Sequence, residues 1–159
     1  MKLDLGLSVI AVLTVINGGI WQKQQLIRHG QPVLVELAPV DPRSLMQGDY
    51  MTLRFGLPSE ILQSQQGLLQ SQRPRVRVQR NAQGVATLLP LAPGATLAPG
   101  ELSVELTPKG GQWVLVTDAW FFAEGQAERW SAARYGEFRV DGQGRALLVG
   151  LRDAKLQPL

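Results

Sequence analysis

Between Asp4 and Lys23 the chain runs for eighteen residues without a charge, Leu5 to Gln22, and eleven of them are hydrophobic. Such a run must be covered by something. As a helix it extends roughly 27 Å at about 1.5 Å per residue, close to the thickness of a bilayer's hydrocarbon core. Asn17, Gly18 and Gly19 weaken its carboxyl end, and Trp21 followed by Lys23 and Arg28 has the pattern of an interfacial anchor. Two other readings compete. A cleaved signal peptide needs small residues at the cut, but cuts after Gly18 or Gly19 place Ile16 or Asn17 three residues inward. The other is a helix buried in a soluble domain. The favoured expectation is an uncleaved transmembrane helix, with anchor and stalk over 1–28 and a separate domain over 29–159. Lys2 and the amino terminus on one side face Lys23 and Arg28 on the other, so the positive-inside count does not decide orientation.

The rest of the chain is patterned mostly with period two. After a polar stalk from Gln22 to Ile27, Gly30 ends the helix and Val33 to Ala38 reads as a first strand. Arg75 to Arg80 alternates apolar residues with Arg, and Glu101 to Thr107 alternates as cleanly; both predict half-buried strands. Turn chemistry at Asn81 to Gly84, Lys109 to Gly111 and Asp141 to Gly144 predicts three hairpins, over 75–89, 101–117 and 137–151. Ser59 to Gln72 and Gln126 to Arg134 are helical candidates, and Leu91 to Gly100 is a loop. The expected fold class is therefore mainly β: an N-terminal transmembrane helix, then a compact antiparallel sheet or open barrel with one or two short helices.

Composition closes several functional routes. The chain has 159 residues and no cysteine, which removes disulfides, thiolate metal sites and a cysteine nucleophile. Its one histidine, His29, sits just beyond the anchor and reads as an interfacial polar residue. Net charge is +3, and Arg73, Arg75, Arg77 and Arg80 form a basic strand. Aromatic interleaving is absent there, so a solvated strand face is expected and nucleic acid is not an expected partner. No metal and no cofactor are expected, since no regularly spaced Asp/Asn loop is present.

The densest motif runs from Pro39 to Phe55. Asp41-Pro42 starts a turn, Gly48-Asp49 supplies a second, and Tyr50 to Phe55 leaves as a strand with Tyr50, Thr52 and Arg54 on one face and Met51, Leu53 and Phe55 on the other. Here the sequence resembles the GDYXXLXY family of bacterial membrane-anchored proteins: Gly48, Asp49, Tyr50 and Leu53 match, and Phe55 stands where the family has its final Tyr. Phe122-Ala123-Glu124-Gly125, then Arg134-Tyr135-Gly136-Glu137, resemble the family's second block. The candidate binding residues are accordingly Gly48, Asp49, Tyr50, Leu53, Phe55, Glu124, Gly125, Arg134, Tyr135, Gly136 and Glu137. The resemblance implies a single-pass protein of the bacterial inner membrane with a periplasmic domain, held by the bilayer and working beside an uncharacterised multi-pass membrane protein. It implies no reaction.

The same box invites an enzyme reading, a membrane-anchored hydrolase similar to signal peptidases, whose pattern is Ser-Met-x-Pro-Thr-Leu-x-x-Gly-Asp. Counting back eight from Gly48 places Val40, which has no hydroxyl, at the nucleophile position. Ser44 is off register, and Lys109 or Lys155 would have to be its base. Asp49, Asp118, Glu124, Glu128 and Glu137 are the carboxylates near motifs. The expectation for them is structural: Asp49 bonding its own turn, Glu124 or Glu137 pairing with Arg134 or Arg139. No catalytic residue is assigned. Trp113, Trp120, Phe121, Phe122, Trp130, Tyr135 and Phe138 are expected to pack the sheet core. The sequence therefore reads as an accessory or binding module tethered to the envelope, with the hydrolase as the alternative.

Overall fold

A computed structural model describes residues 2–38, 46–47, 50–63 and 73–159. Helix α1, Lys2–His29, carries the apolar run and continues unbroken through the polar stalk. Val9, Ile10, Val12, Leu13, Val15, Ile16, Ile20 and Trp21 are all more than half exposed. Among the described residues no helix is long and apolar enough to cross a membrane. Asn17, Gly18, Gly19 and the glutamines after Trp21 dilute the apolar stretch of α1.

At its carboxyl end α1 meets the domain with no linker. The Gly30 N–H donates to the Leu26 carbonyl at 2.9 Å, and strand β1, Gln31–Glu36, begins at the next residue. A Cβ at position 30 would lie 2.4 Å from that carbonyl and 3.0 Å from Cβ of Arg139, so only glycine makes this corner without a shift. The strand thus starts two residues before the expected Val33.

The chain then forms β2 (Met46–Gln47), β3 (Tyr50–Thr52), α2 (Ser59–Gln63), β4 (Arg75–Arg80), β5 (Val85–Leu91), β6 (Leu102–Glu105), β7 (Thr107–Lys109), β8 (Gln112–Val114), β9 (Ala119–Phe121), α3 (Ala127–Ser131), β10 (Tyr135–Val140) and β11 (Ala146–Arg152). The fold is mainly β: a six-stranded sheet in the order β11-β10-β1-β5-β4-β6, a small sheet β2-β3-β9, and the β7-β8 ribbon. Two of the expected hairpins form, β4–β5 and β10–β11, each around the predicted turn. In both turns an Asx side chain accepts backbone N–H groups: Asn81 from Gln83 and Val85, Asp141 from Gln143 and Arg145.

The third hairpin forms around its predicted turn but only over 107–114. Strand β6 pairs with β4, while β7 and β8 make a ribbon of their own. The β4–β6 seam buries Val76 and Val78 opposite Val104 and Leu102, and on its other face arginines meet glutamates: Arg73 and Arg75 lie 3.4 and 3.3 Å from Glu105, and Arg77 lies 3.7 Å from Glu101. The row expected to be a solvated basic face is thus largely neutralised within the sheet. A second correction concerns strand direction. The sheet is not wholly antiparallel, since β1 runs parallel to β5 through Leu34↔Val85 and Val35↔Ala86.

The large sheet curls. At the β6 edge the Glu105 N–H donates to the carbonyl of Gly144, in the β10–β11 turn, at 2.9 Å. Inside the curl Val33, Val35, Val76, Val78, Val104, Phe138 and Val140 pack with Leu106, Trp113 and Leu115. A second cluster, Met51, Leu53, Trp130, Ala133 and Leu151, joins the small sheet and α3 to the outer strands. The helical candidates shorten to α2 and α3, and residues 64–72 of the first lie outside the described residues.

Candidate functional site

The two sequence blocks meet at the end of β1 remote from α1. Beyond β3 the chain crosses from the small sheet to the large one: the Leu53 N–H donates to the Asp118 carbonyl at 2.6 Å, the Ala38 N–H to the Arg54 carbonyl at 2.8 Å, and Phe55 bridges to Leu37. Expected as one strand through Phe55, the segment therefore holds β pairing only to Thr52 before changing partners. Leu53 is buried at the crossing. Phe55 packs edge-on to Phe138, with ring centroids 5.2 Å apart.

Phe55 also explains Gly136. A Cβ there would fall 2.8 Å from Cε1 of Phe55 and 3.0 Å from a ring carbon of Phe138. Here the glycine is needed for close approach and not for its backbone angle. Arg134 does not reach a carboxylate; its guanidinium donates to the carbonyls of Ser131 and Ala133 and closes the end of α3. Glu137 accepts from Nε of Arg152 at 2.9 Å and lies 3.6 Å from Arg139. The expected Glu137–Arg139 pairing is therefore present, with Arg152 as the nearer partner. Half-buried Tyr135 lies opposite Glu36 and Arg152. Glu124 and Gly125 sit in an exposed turn ahead of α3, where Gly125 has φ of 81°. They stand apart from the convergence.

Tyr50 is half-buried, and its ring lies 5.6 Å from that of Phe121, which is 75% exposed. Phe121 therefore departs from the expected core role of the aromatic residues. Trp120, Phe122 and Trp130 do pack together, and Trp113 fills the main core. Gly48 and Asp49, with Val40, Asp41 and Ser44, lie outside the described residues, and so do the expectations placed on them.

Beside the crossing lies an open cleft of about 630 Å³ between residues 52–57 at the end of the box, Leu62 of α2 and the β7–β8 ribbon. Leu53, Phe55, Leu57, Trp113 and Leu115 supply apolar wall; Arg54, Gln112 and Thr117 supply polar edge. Lys109 and Asp118, also in the lining, pair with each other. Lys109 is about half exposed and held by a carboxylate, whereas a Ser-Lys hydrolase needs a lysine buried beside its hydroxyl. The indole N–H of Trp113 is buried and has no hydrogen-bond partner among the described residues. The motif spacing could not reveal this cleft, because its second wall comes from residues about sixty positions further on.

No three His, Asp or Glu side chains among the described residues are placed to hold a metal ion. Residues 12–151 match the family model described as GDYXXLXY protein. No curated protein and no solved structure matches the chain.

Proposed function

The chain belongs to the GDYXXLXY family, and from that premise we propose that it is a membrane-tethered accessory or binding module of the bacterial envelope. In this reading α1 crosses the inner membrane once, the β domain stands on the periplasmic side, and the cleft beside the motif receives an extramembrane segment of an integral membrane partner.

The observation that carries the reading is the exposure of apolar side chains all round α1, Val15 reaching 76%. A helix apolar on every side needs lipid or protein around it, whereas a surface helix needs only one apolar stripe. The polar groups within the run suit lipid too: Thr14 donates to the Ile10 carbonyl and Asn17 to the Leu13 carbonyl, both at 2.8 Å and within the helix. The uncharged run itself is eighteen residues long, Leu5 to Gln22. The cleft supplies the binding half, combining apolar wall with a few polar groups.

Alkaline carbonate extraction of membranes, with intact-mass measurement of the recovered protein, tests the tether. Retention at full mass is expected. Release into the supernatant, or a mature start near residue 20, would end the reading. Site-specific crosslinking from Gln112 at the cleft edge, followed by identification of the adduct, tests the partner.

A further inference from the structure

We propose that the end of the β domain next to α1 rests on the bilayer surface at a fixed attitude and binds anionic phospholipid headgroups through Lys23, Arg28 and Arg80. This rests on α1 being a membrane helix. Three observations carry it.

The first is length. At about 1.5 Å per residue the 28 residues of α1 extend roughly 42 Å, which matches a bilayer with both headgroup layers and not its hydrocarbon alone. A helix filling that thickness delivers Gly30 to the outer edge of the headgroups. The second is rigidity. No linker separates His29 from β1, the corner is packed against Arg139, and Nη1 of Arg139 donates to the Gly30 carbonyl. The domain cannot swing or lift off as one on a flexible tether would.

The third is charge and where it sits. Topology brings two turns to this end of β1: Gln31 lies opposite Val140, at the mouth of the 141–144 turn, and the Leu34 N–H donates to the carbonyl of Gly84, in the 81–84 turn. Arg80 reaches the same corner, donating to Oε1 of Gln31 at 2.7 Å and to the Pro32 carbonyl. Gln31 and Pro32 are themselves exposed although β1 is a central strand. Asp141, the carboxylate of the 141–144 turn, already has a partner in Arg145. Lys23, Arg28 and Arg80 pair with no carboxylate among the described residues. Three uncompensated cations at headgroup level fit a phosphate-rich anionic surface.

The test uses the full chain in nanodiscs carrying a headgroup-attached spin label, with amide signal broadening as readout. With anionic phospholipid present, amides of 81–84 and 141–144 should broaden at least threefold more than those of Phe55 and Gly136 at the far end. Exchanging the anionic lipid for a zwitterionic one, or replacing Lys23, Arg28 and Arg80 together by Gln, should cut that difference by half or more. Inserting ten Gly/Ser residues after His29, a spacer of roughly 17 Å root-mean-square length, should abolish it while carbonate resistance persists. Equal broadening at both ends, or no response to lipid charge in a chain that resists carbonate, overturns this proposal alone. Loss of carbonate resistance in the unaltered chain would overturn the tether beneath it.

Discussion

Helix α1 and the curled sheet are both rich in Val and Leu, yet they treat their apolar residues oppositely. In the sheet Val33, Val76, Val78 and Val140 are at most 1% exposed; along α1 the valines and isoleucines at 9–16 are all more than half exposed. The difference lies in patterning. Period two puts apolar groups on one face that a curled sheet can close over, whereas a near-continuous run wraps the whole circumference of a helix and leaves no face for water. One region is covered by its own chain, and the other is left uncovered by the described residues.

The comparison breaks most sharply if each region is damaged separately. Phe138→Ala, at the centre of the sheet core, should destabilise the domain by about 3–5 kcal/mol and leave membrane retention unchanged. Denaturant unfolding and carbonate extraction of the same preparation check both halves. Val12→Arg should do the reverse: about 2.5–3.5 kcal/mol against insertion at mid-helix, seen as protein lost to the carbonate supernatant, with the domain's unfolding midpoint unmoved. If Val12→Arg instead unfolds the domain, α1 is packed on protein and the contrast between the two regions fails.

A smaller effect sharpens the picture inside the domain. Gly136→Ala forces a methyl into Phe55 and should cost about 1–3 kcal/mol. Combining it with Phe55→Leu should recover part of that loss in thermal unfolding, since the clash is with the ring. Were the two costs simply to add, Phe55 and Gly136 would not be coupled as their packing indicates.

The smallest effect is electrostatic. Burial alone would raise the pKa of Asp141, but hydrogen bonds from the Arg145 side chain and from the N–H groups of Arg145 and Gln143 hold it below the ordinary carboxylate value. A lowered folded-state pKa contributes stability that is present above the unfolded value near 4 and is lost as pH falls through the folded one. Asp141→Asn should therefore remove a small part of the acid-side loss of stability, under about 1 kcal/mol because Arg145 is exposed. Comparing unfolding midpoints at pH 7 and pH 3 measures it.

The legible part of the fold was the local part. Asn81 to Gly84 and Asp141 to Gly144 carry the side-chain acceptors that build their own turns, so the β4–β5 and β10–β11 hairpins could be read from neighbours in sequence. What β6 pairs with could not, because its partner β4 lies about thirty residues away and not across the glycine turn beside it. The parallel β1–β5 contact is hidden for the same reason: nothing in Val33 to Glu36 states a direction. At the site, the motif was recognisable as a string, and so was its second block. That Phe55 and Gly136 fit each other, and that Trp113 faces residues of the box across a cleft, are facts of tertiary packing that carry no spacing signature.

The placement of β1 also dictates an order of events during synthesis. This strand follows the helix directly, but one of its neighbours, β10, lies about a hundred residues later, with Gln31 paired to Val140. At ordinary elongation rates of about 5–20 residues per second, one edge of the central strand waits roughly 5–20 s before its partner exists. Contacts this distant slow folding and leave a hydrophobic strand open to wrong pairing in the interval. A nascent domain of this topology closes late and from its carboxyl end, and a chain truncated before Tyr135 has no route to the finished sheet.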